Sequence, residues 1–173
     1  MTTNQDHATS TTTPQLGRYE IDTGHSAVTF RTRHLFGLAP VHGRLAIRGG
    51  TVDIAEPLAA SAVHAEIDAA SFHTRNPQRD ASVRSARLLD AARHPVITFI
   101  SDRVGDTELA GLLTVRGVTR PVSLSIEQST VSPRSFTVRA TTRIDRTEFG
   151  VTGYPGLAGR YLDLSLEVRC VRK

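Results

Sequence analysis

By residue type, the seven histidines are the side chains of this sequence most suited to chemistry. His25, His34 and His42 lie close together along the chain, but no two histidines are spaced as HxH, HxxxH or HExxH. A zinc site needs three or four side chains that converge at fixed distances, and such spacings are its usual signal. We therefore predict no metal and no cofactor. His25 and His34 are expected to be polar side chains near strand ends, with an acid–base role for either as the open alternative.

The single cysteine, Cys170, lies on an apolar face of the strand pattern that ends the chain. A thiol in such a position is typically an inert, buried small hydrophobic group, and one cysteine excludes an internal disulfide. The sequence also lacks a nucleophile elbow, a phosphate-binding glycine loop and a paired His–Cys motif. We predict no catalytic residue and expect a binding protein, not an enzyme.

Arginines at the start of a predicted helix allow two interpretations. Arg79-Asp80 and Arg84 place charge there, and a guanidinium offers paired donors to a diphosphate or carboxylate head group. The alternative, which the helix position favours, is an ion pair that fixes the helix to the rest of the fold. Asp145-Arg146 leaves the same two interpretations open.

Charge and composition limit the classes of partner. The chain has 21 basic and 17 acidic side chains, for a net charge of +4, and Lys173 is its only lysine. A nucleic-acid footprint would cluster basic residues with aromatic ones, which these do not show, so we predict no nucleic-acid partner. No run of 18 apolar residues occurs, so no transmembrane segment is predicted. The arginines expected on the outer face are Arg31, Arg33, Arg44, Arg48, Arg139 and Arg143.

The first 15 residues are polar and have no apolar centre, so they do not resemble a secretory signal. We predict a disordered polar tail over residues 1–17, followed by a single domain over residues 18–173 that is large enough to bury a core. The expected location is cytoplasmic. The sequence leaves open whether the chain is a monomer or a homodimer.

Residues 111–126 (GLLTVRGVTRPVSLSI) contain the clearest strand pattern of the chain. Apolar residues alternate with polar ones on both sides of Gly117, and period-two alternation is typical of antiparallel strands with one buried face. Pro121 lacks an amide donor, so we place it among the first residues of its strand. The segment is predicted to be a β-hairpin.

The same alternation predicts strands around residues 26–34, 43–47, 63–67, 96–101, 136–144 and 162–170. Gly49-Gly50 is interpreted as the turn that ends the second of these. Asn76 as a cap and Pro77 at the first position predict one helix, from residue 76 to about residue 91.

About eight strands joined mostly by short turns favour an all-β fold, an antiparallel up-and-down β-barrel with one helix inserted between strands 3 and 4. Closure removes the two open edges, and eight strands enclose just enough space for side chains or one small ligand. Small inward residues predict a slot for a ligand, and a solid side-chain core is the alternative. The predicted lumen residues are Val28, Phe30, Leu45, Ile47, Val63, Ile67, Gly111, Leu113, Val115, Leu124, Phe136, Val138, Ala140 and Leu164.

Several motifs, taken in order, resemble the YceI-like family of lipid- and polyisoprenoid-binding, lipocalin-like barrels. The resemblance covers residues 18–172, and its ordered set of motifs is far more specific than any one of them. The motifs are YEID with His25-Ser26, Gly43-Arg44, Ile67-Asp68, Arg79-Asp80, Arg84-Ser85, His94-Pro95, residues 111–122 (GLLTVRGVTRPV) and Ile144-Asp145-Arg146 with Phe149-Gly150.

The resemblance implies a protein that carries or sequesters an amphiphilic lipid, such as a polyisoprenoid or its diphosphate, in the barrel lumen. An enzyme that uses the lumen as a reaction chamber, and a non-catalytic stress-response or interaction module, are the alternatives. A charged head group would have to stop at the barrel mouth, because burying an unpaired anion is costly. The predicted mouth residues are His34, Arg75, Arg79 and Arg84.

Overall fold

The computed structural model describes residues 13–173. Within them, ten antiparallel strands form one sheet, and one α-helix, α1 (Pro77–Arg84), lies between the fifth and sixth strands. The strands are β1 Gly17–Ile21, β2 Ala27–His34, β3 Ala39–Leu45, β4 Ile47–Ile54, β5 Ala62–Asp68, β6 Val96–Val104, β7 Glu108–Val115, β8 Val118–Ser132, β9 Ser135–Asp145 and β10 Tyr161–Arg172.

The ten strands make an eight-stranded closed barrel, because two pairs of them are interrupted single strands. A short 3₁₀ turn, Thr23–His25, separates β1 from β2, and Ala46 alone separates β3 from β4. β1 pairs with both β4 and β10, which closes the ring, while β2 pairs with β10 and β3. The predicted all-β, up-and-down antiparallel barrel, with its helix between the third and fourth barrel strands, is confirmed.

The hairpin predicted in residues 111–126 is formed by β7 and β8. Arg116 and Gly117 form its two-residue turn, both with positive φ (50° and 74°), which is the turn geometry that matches the twist of paired strands. Pro121 is the fourth residue of β8 and precedes Ser125, where pairing with β9 begins. Its missing amide donor therefore removes no hydrogen bond between β8 and β9.

The predicted turn at Gly49-Gly50 is wrong, because both glycines lie inside β4. The register shifts between Ile47 and Gly49, which marks a β-bulge. A Cβ on Gly50 would collide with the carbonyl oxygen of His64 on β5. Gly50 therefore allows close approach of the β4 and β5 backbones, and the chain continues as a strand to Ile54.

The helix starts as predicted and ends sooner. The Asn76 side chain accepts a hydrogen bond from the Arg79 amide (3.0 Å), and Pro77 occupies the first turn. The helix stops at Arg84, not near residue 91, because Ser85 is extended and its hydroxyl donates to the Ser82 carbonyl (2.6 Å). Such local side-chain bonds compete with helix continuation.

Hydrophobic residues fill one end of the barrel. Tyr19, Phe136 and Cys170 pack there, and the rings of Tyr19 and Phe136 meet edge to face at 4.9 Å between centroids. We call this the closed end; its loops are residues 55–61, 105–107 and 133–134. The opposite end, which we call the helix end, carries the loops of residues 35–38, 69–95, 116–117 and 146–160.

The predicted tail falls mostly on residues 1–12, which lie outside the described residues. Within the part that the structure describes, the chain is held against the barrel from Gln15. The Tyr19 hydroxyl donates to the Gln15 carbonyl (2.8 Å), and Arg172 donates to the Gln15 side chain (2.9 Å). Disorder before this point stays a prediction.

Candidate functional site

A cavity of about 590 Å³ lies inside the barrel and extends to the helix end. Its walls are mostly aliphatic and aromatic side chains from both sides of the barrel, such as Phe30, Leu113 and Leu164. Residues of the helix-end loops, among them Ser82 and Leu157, complete the lining, and no residue of a closed-end loop takes part. The cavity is therefore a blind apolar space with one mouth.

Nine of the fourteen predicted lumen residues line this cavity, and the other five do not. Four of the five pack in the buried clusters of the barrel, and the fifth, Gly111, is covered by the Phe99 ring. The lining residues are Val28, Phe30, Leu45, Ile47, Ile67, Leu113, Val115, Leu124 and Leu164. The other five are Val63, Gly111, Phe136, Val138 and Ala140.

Gly111 shows why a small inward residue does not always create ligand space. The Phe99 ring lies over Gly111, and a Cβ there would also collide with the carbonyl oxygen of Ile100. The space that the missing side chain leaves is thus filled by an aromatic ring. Ala140 likewise packs in a buried cluster with Phe99 and Leu124.

Of the four predicted mouth residues, His34 and Arg79 line the cavity, whereas Arg75 and Arg84 do not. His34 ends β2, whose alternation brings Val28, Phe30, Thr32 and His34 to one face. Arg75 is exposed in the loop before the helix, with φ of 60°. Arg84 is half-buried and donates to the Phe72 carbonyl (2.5 Å).

The charged residues of α1 attach the helix to the preceding segment. The Asp80 carboxylate is buried and accepts hydrogen bonds from the Thr74 amide (3.0 Å) and hydroxyl (2.5 Å). Arg79 donates to the same hydroxyl (2.7 Å) and to the Thr74 carbonyl (3.0 Å). Burial raises the pKa of Asp80, but the bonds from Thr74 and the nearby His73 and Arg84 outweigh it, so its pKa lies below the usual range. The helix is thus fixed through hydrogen bonds to Thr74 rather than through an ion pair between Arg79 and Asp80, and Arg79 also lies at the cavity wall.

Arg146 also lines the cavity, and the sequence left its role open. It follows Asp145, whose side chain caps the short 3₁₀ helix Arg146–Phe149. Its guanidinium donates to the carbonyls of Gly159 (2.7 Å), Val151 (2.6 Å) and Ala158 (3.1 Å), so it holds the loop that borders the mouth. Burial lowers its pKa, while Asp145 opposes that effect. Three of its five N–H groups are used in this way.

Sequence reasoning missed several polar residues of the mouth. Thr32 and Thr142 were recognisable, because Thr32 shares the alternation face of Phe30 and His34, and Thr142 shares that of Val138 and Ala140. The others come from the helix and its cap, where the direction of a side chain depends on the tertiary structure. They are Asn76, Gln78 and Ser82.

The remaining candidate groups lie away from the cavity. His25 contacts Asp22 on the surface (2.9 Å), and Arg169 contacts the same carboxylate (3.0 Å). Cys170 is buried in the core, as predicted, and burial raises the pKa of its thiol to about 12. Across residues 13–173, no three His, Cys, Asp or Glu side chains are grouped to hold a metal ion. No helix in those residues combines the length and the apolar character that crossing a bilayer requires.

A closed eight-stranded antiparallel barrel with a blind apolar cavity defines a lipocalin-like fold. The model of the YceI-like domain matches residues 19–170, and the chain belongs to this family.

Two bacterial relatives support the assignment along the chain. A UPF0312 protein of Vibrio cholerae is 31% identical over 169 aligned residues, which cover 90% of this chain and 87% of the relative. A UPF0312 protein of Pseudomonas savastanoi pv. phaseolicola is 30% identical over 161 residues and covers 86% of this chain and 82% of its own length.

Solved structures share the fold at low sequence identity. Burkholderia cenocepacia BcnA superposes with a TM-score of 0.69 at 20% identity, covering 86% of this chain and 98% of BcnA. A polyisoprenoid binding domain from Saccharophagus degradans, implicated in plant cell wall breakdown, gives 0.71 at 14% identity and covers 92% of this chain and all (100%) of that domain.

Proposed function

We propose that this protein binds one amphiphilic lipid, with the apolar chain in the barrel cavity and the head group at the helix end. The observation that carries the proposal is the blind apolar cavity with a single, polar mouth. An amphiphile matches this asymmetry, because its tail gains from leaving water while its head must stay solvated or hydrogen-bonded.

The size of the cavity agrees with a single small ligand. Its volume of about 590 Å³ lies within the roughly 300–1,000 Å³ that is usual for ligand pockets. Each buried methylene contributes about 0.8 kcal/mol, so a tail with ten of them gains about 8 kcal/mol before the cost of association. Affinity should therefore depend mainly on the length of the tail.

The tail we propose is a polyisoprenoid. The Saccharophagus degradans domain of the same fold is described as polyisoprenoid binding, and the apolar lining here suits such a chain. For a charged head, such as a diphosphate, the available partners are Arg79, Arg146 and His34, which border the mouth of the cavity. We propose carriage or sequestration as the role, since the groups at the mouth suit recognition of an anion.

The test is equilibrium dialysis with tritiated geranylgeraniol and with geranylgeranyl diphosphate. Arg79→Gln is expected to weaken binding of the diphosphate by about 1.5–3 kcal/mol, the usual range for a hydrogen bond to a charged group. Binding of the alcohol should not change. Arg84→Gln is the matched control, because it lies on the same helix outside the cavity. If wild type binds neither ligand, the proposed function is wrong. An equal loss of both ligands in Arg79→Gln would restrict that arginine to holding the helix.

A further inference from the structure

The two ends of the barrel differ in charge. The helix-end loops contain eight arginines and three carboxylates, and two of the carboxylates, Asp80 and Asp90, are buried. The closed-end loops contain Glu56, Asp106 and Arg134. The eight arginines of the helix end are Arg75, Arg79, Arg84, Arg87, Arg93, Arg116, Arg146 and Arg160.

Three of these arginines are exposed, and no carboxylate among the described residues neutralises them. Arg75, Arg87 and Arg93 lie in or beside the long loop around α1, and no carboxylate of residues 13–173 forms an ion pair with them. Arg87 lies over the ring of Tyr154, 5.0 Å from its centroid, which places it beside a residue of the cavity lining. The mouth is thus bordered by unneutralised positive charge.

The same end exposes large apolar side chains. Phe36 is 79% and Leu38 is 83% exposed, at the tip of the β2–β3 hairpin. Leu35 is next to them, and its amide donates to the carbonyl of Leu157 (2.9 Å), whose side chain is also exposed and lines the mouth. Large apolar side chains clustered in water at the rim of a cavity typically mark an interaction surface.

We propose that the helix end docks on an anionic lipid bilayer, with Phe36 and Leu38 in the acyl region and the arginines at the headgroups. Apolar side chains flanked by basic ones are the combination that binds such a surface. Docking in this orientation turns the cavity mouth towards the membrane, so a lipid can pass between bilayer and lumen without crossing water. The inference of passage rests on the proposed lipid-binding function; the docking itself rests on the charges and exposed side chains.

The apolar part of the test uses co-sedimentation with vesicles of equimolar phosphatidylcholine and phosphatidylglycerol. Phe36→Ser with Leu38→Ser is expected to weaken partitioning at least tenfold, because both side chains would leave the acyl region. The matched control is Ile100→Ser with Leu112→Ser, a neighbouring pair on the outer wall that is 54% and 47% exposed. That control should stay within twofold of wild type.

The charge part of the test compares the same substitution at the two ends. Arg93→Glu should weaken binding to these vesicles about fivefold or more at low ionic strength, the usual effect of one basic residue near an anionic surface. The difference should shrink in high salt. Arg134→Glu, in a closed-end loop, should have no effect. Equal losses at both ends would overturn the docking orientation.

Three further outcomes separate this inference from the proposed function. If wild type binds geranylgeraniol in dialysis but neither anionic nor phosphatidylcholine vesicles, docking is wrong and lipid binding stands. Vesicle binding without retention of geranylgeraniol or its diphosphate supports docking and refutes the lipid-binding function. If gel filtration shows a dimer that the Phe36→Ser, Leu38→Ser variant converts to a monomer, and wild type does not sediment with vesicles, the surface binds a second copy and docking is refuted.

Discussion

Replacing Leu113 by aspartate tests directly whether the cavity holds an apolar chain. Leu113 is half-buried at the centre of the barrel, packs against all three buried clusters and lines the cavity. In the empty protein, the carboxylate introduced by Leu113→Asp can face water in the cavity. A bound tail would remove that water, so the carboxyl group must either take up a proton or be buried as an unpaired charge.

The cost of this change follows from the pKa of the introduced group. An aspartate in water has a pKa of about 3.9, and protonating it at pH 7 costs about 1.36 kcal/mol for each of about three pH units, or about 4 kcal/mol. Binding of geranylgeraniol should therefore weaken up to about a thousandfold at pH 7. Affinity should recover about tenfold per pH unit as the pH falls towards 4, because the neutral form is the one that binds.

Leu112→Asp provides the matched control. Leu112 precedes Leu113 on β7, points outwards and is 47% exposed, so the same change there should leave affinity within about twofold and add no pH dependence. Equilibrium dialysis with tritiated geranylgeraniol between pH 4 and pH 7 measures both variants, and circular dichroism verifies that they are folded. Equal affinities of the two folded variants at pH 7 would refute a tail at the centre of the barrel.

Three other predictions concern packing and ionisation. Gly111→Ala should lower stability by about 1–3 kcal/mol in urea unfolding, because the new Cβ meets backbone of β6, whereas Gly49→Ala, which meets no atom within 4 Å, should be neutral or stabilising by up to about 1 kcal/mol. Equal urea midpoints for these two variants would contradict this packing. The Cys170 thiol, with its pKa raised to about 12, should react with a thiol reagent only after unfolding; modification of the native protein would show that the closed end opens. Hydrogen bonds from Arg160 and Thr147 lower the pKa of Asp145 to about 2, so their stabilisation is present above about pH 4 and lost as the pH falls towards 2. Asp145→Asn should flatten that acid-induced fall in the urea midpoint, and an unchanged profile would show that the ion pair does not stabilise the fold.

The sequence alone determined the architecture, because the alternation of apolar and polar residues along each strand shows which face is buried. The alternation in residues 111–126 required a hairpin with Gly117 in its turn, and Asn76 with Pro77 required a helix start. These signals are local, since a side chain alternates in direction whether or not its partner strand is known. The outward positions of arginines such as Arg31 and Arg139 followed from the same rule.

Only the tertiary structure decided which inward residues border free space. Leu113 and Gly111 point to the same side of β7, yet one lines the cavity and the other lies under the Phe99 ring. The difference is the Phe99 ring of β6, which covers Gly111, whereas Leu109, on the same face of β7 and nearer the closed end, lines the cavity. The position of that ring depends on how β6 pairs with β7, and β7 alone contains no information about it.

At the helix end, too, only the tertiary structure determined which side chains face the cavity and which face solvent. Arg79 and Arg84 are five residues apart, about 140° around a helix, so only the docking of α1 determines that Arg79 reaches the cavity and Arg84 reaches Phe72. The exposed Phe36 looks like a core residue in the sequence, because hydrophobicity favours burial wherever neighbours can cover the side chain. Its ring lies against Gly156 of the facing loop, but its position at the tip of a hairpin leaves 79% of the residue exposed, and that is a property of the assembled barrel alone.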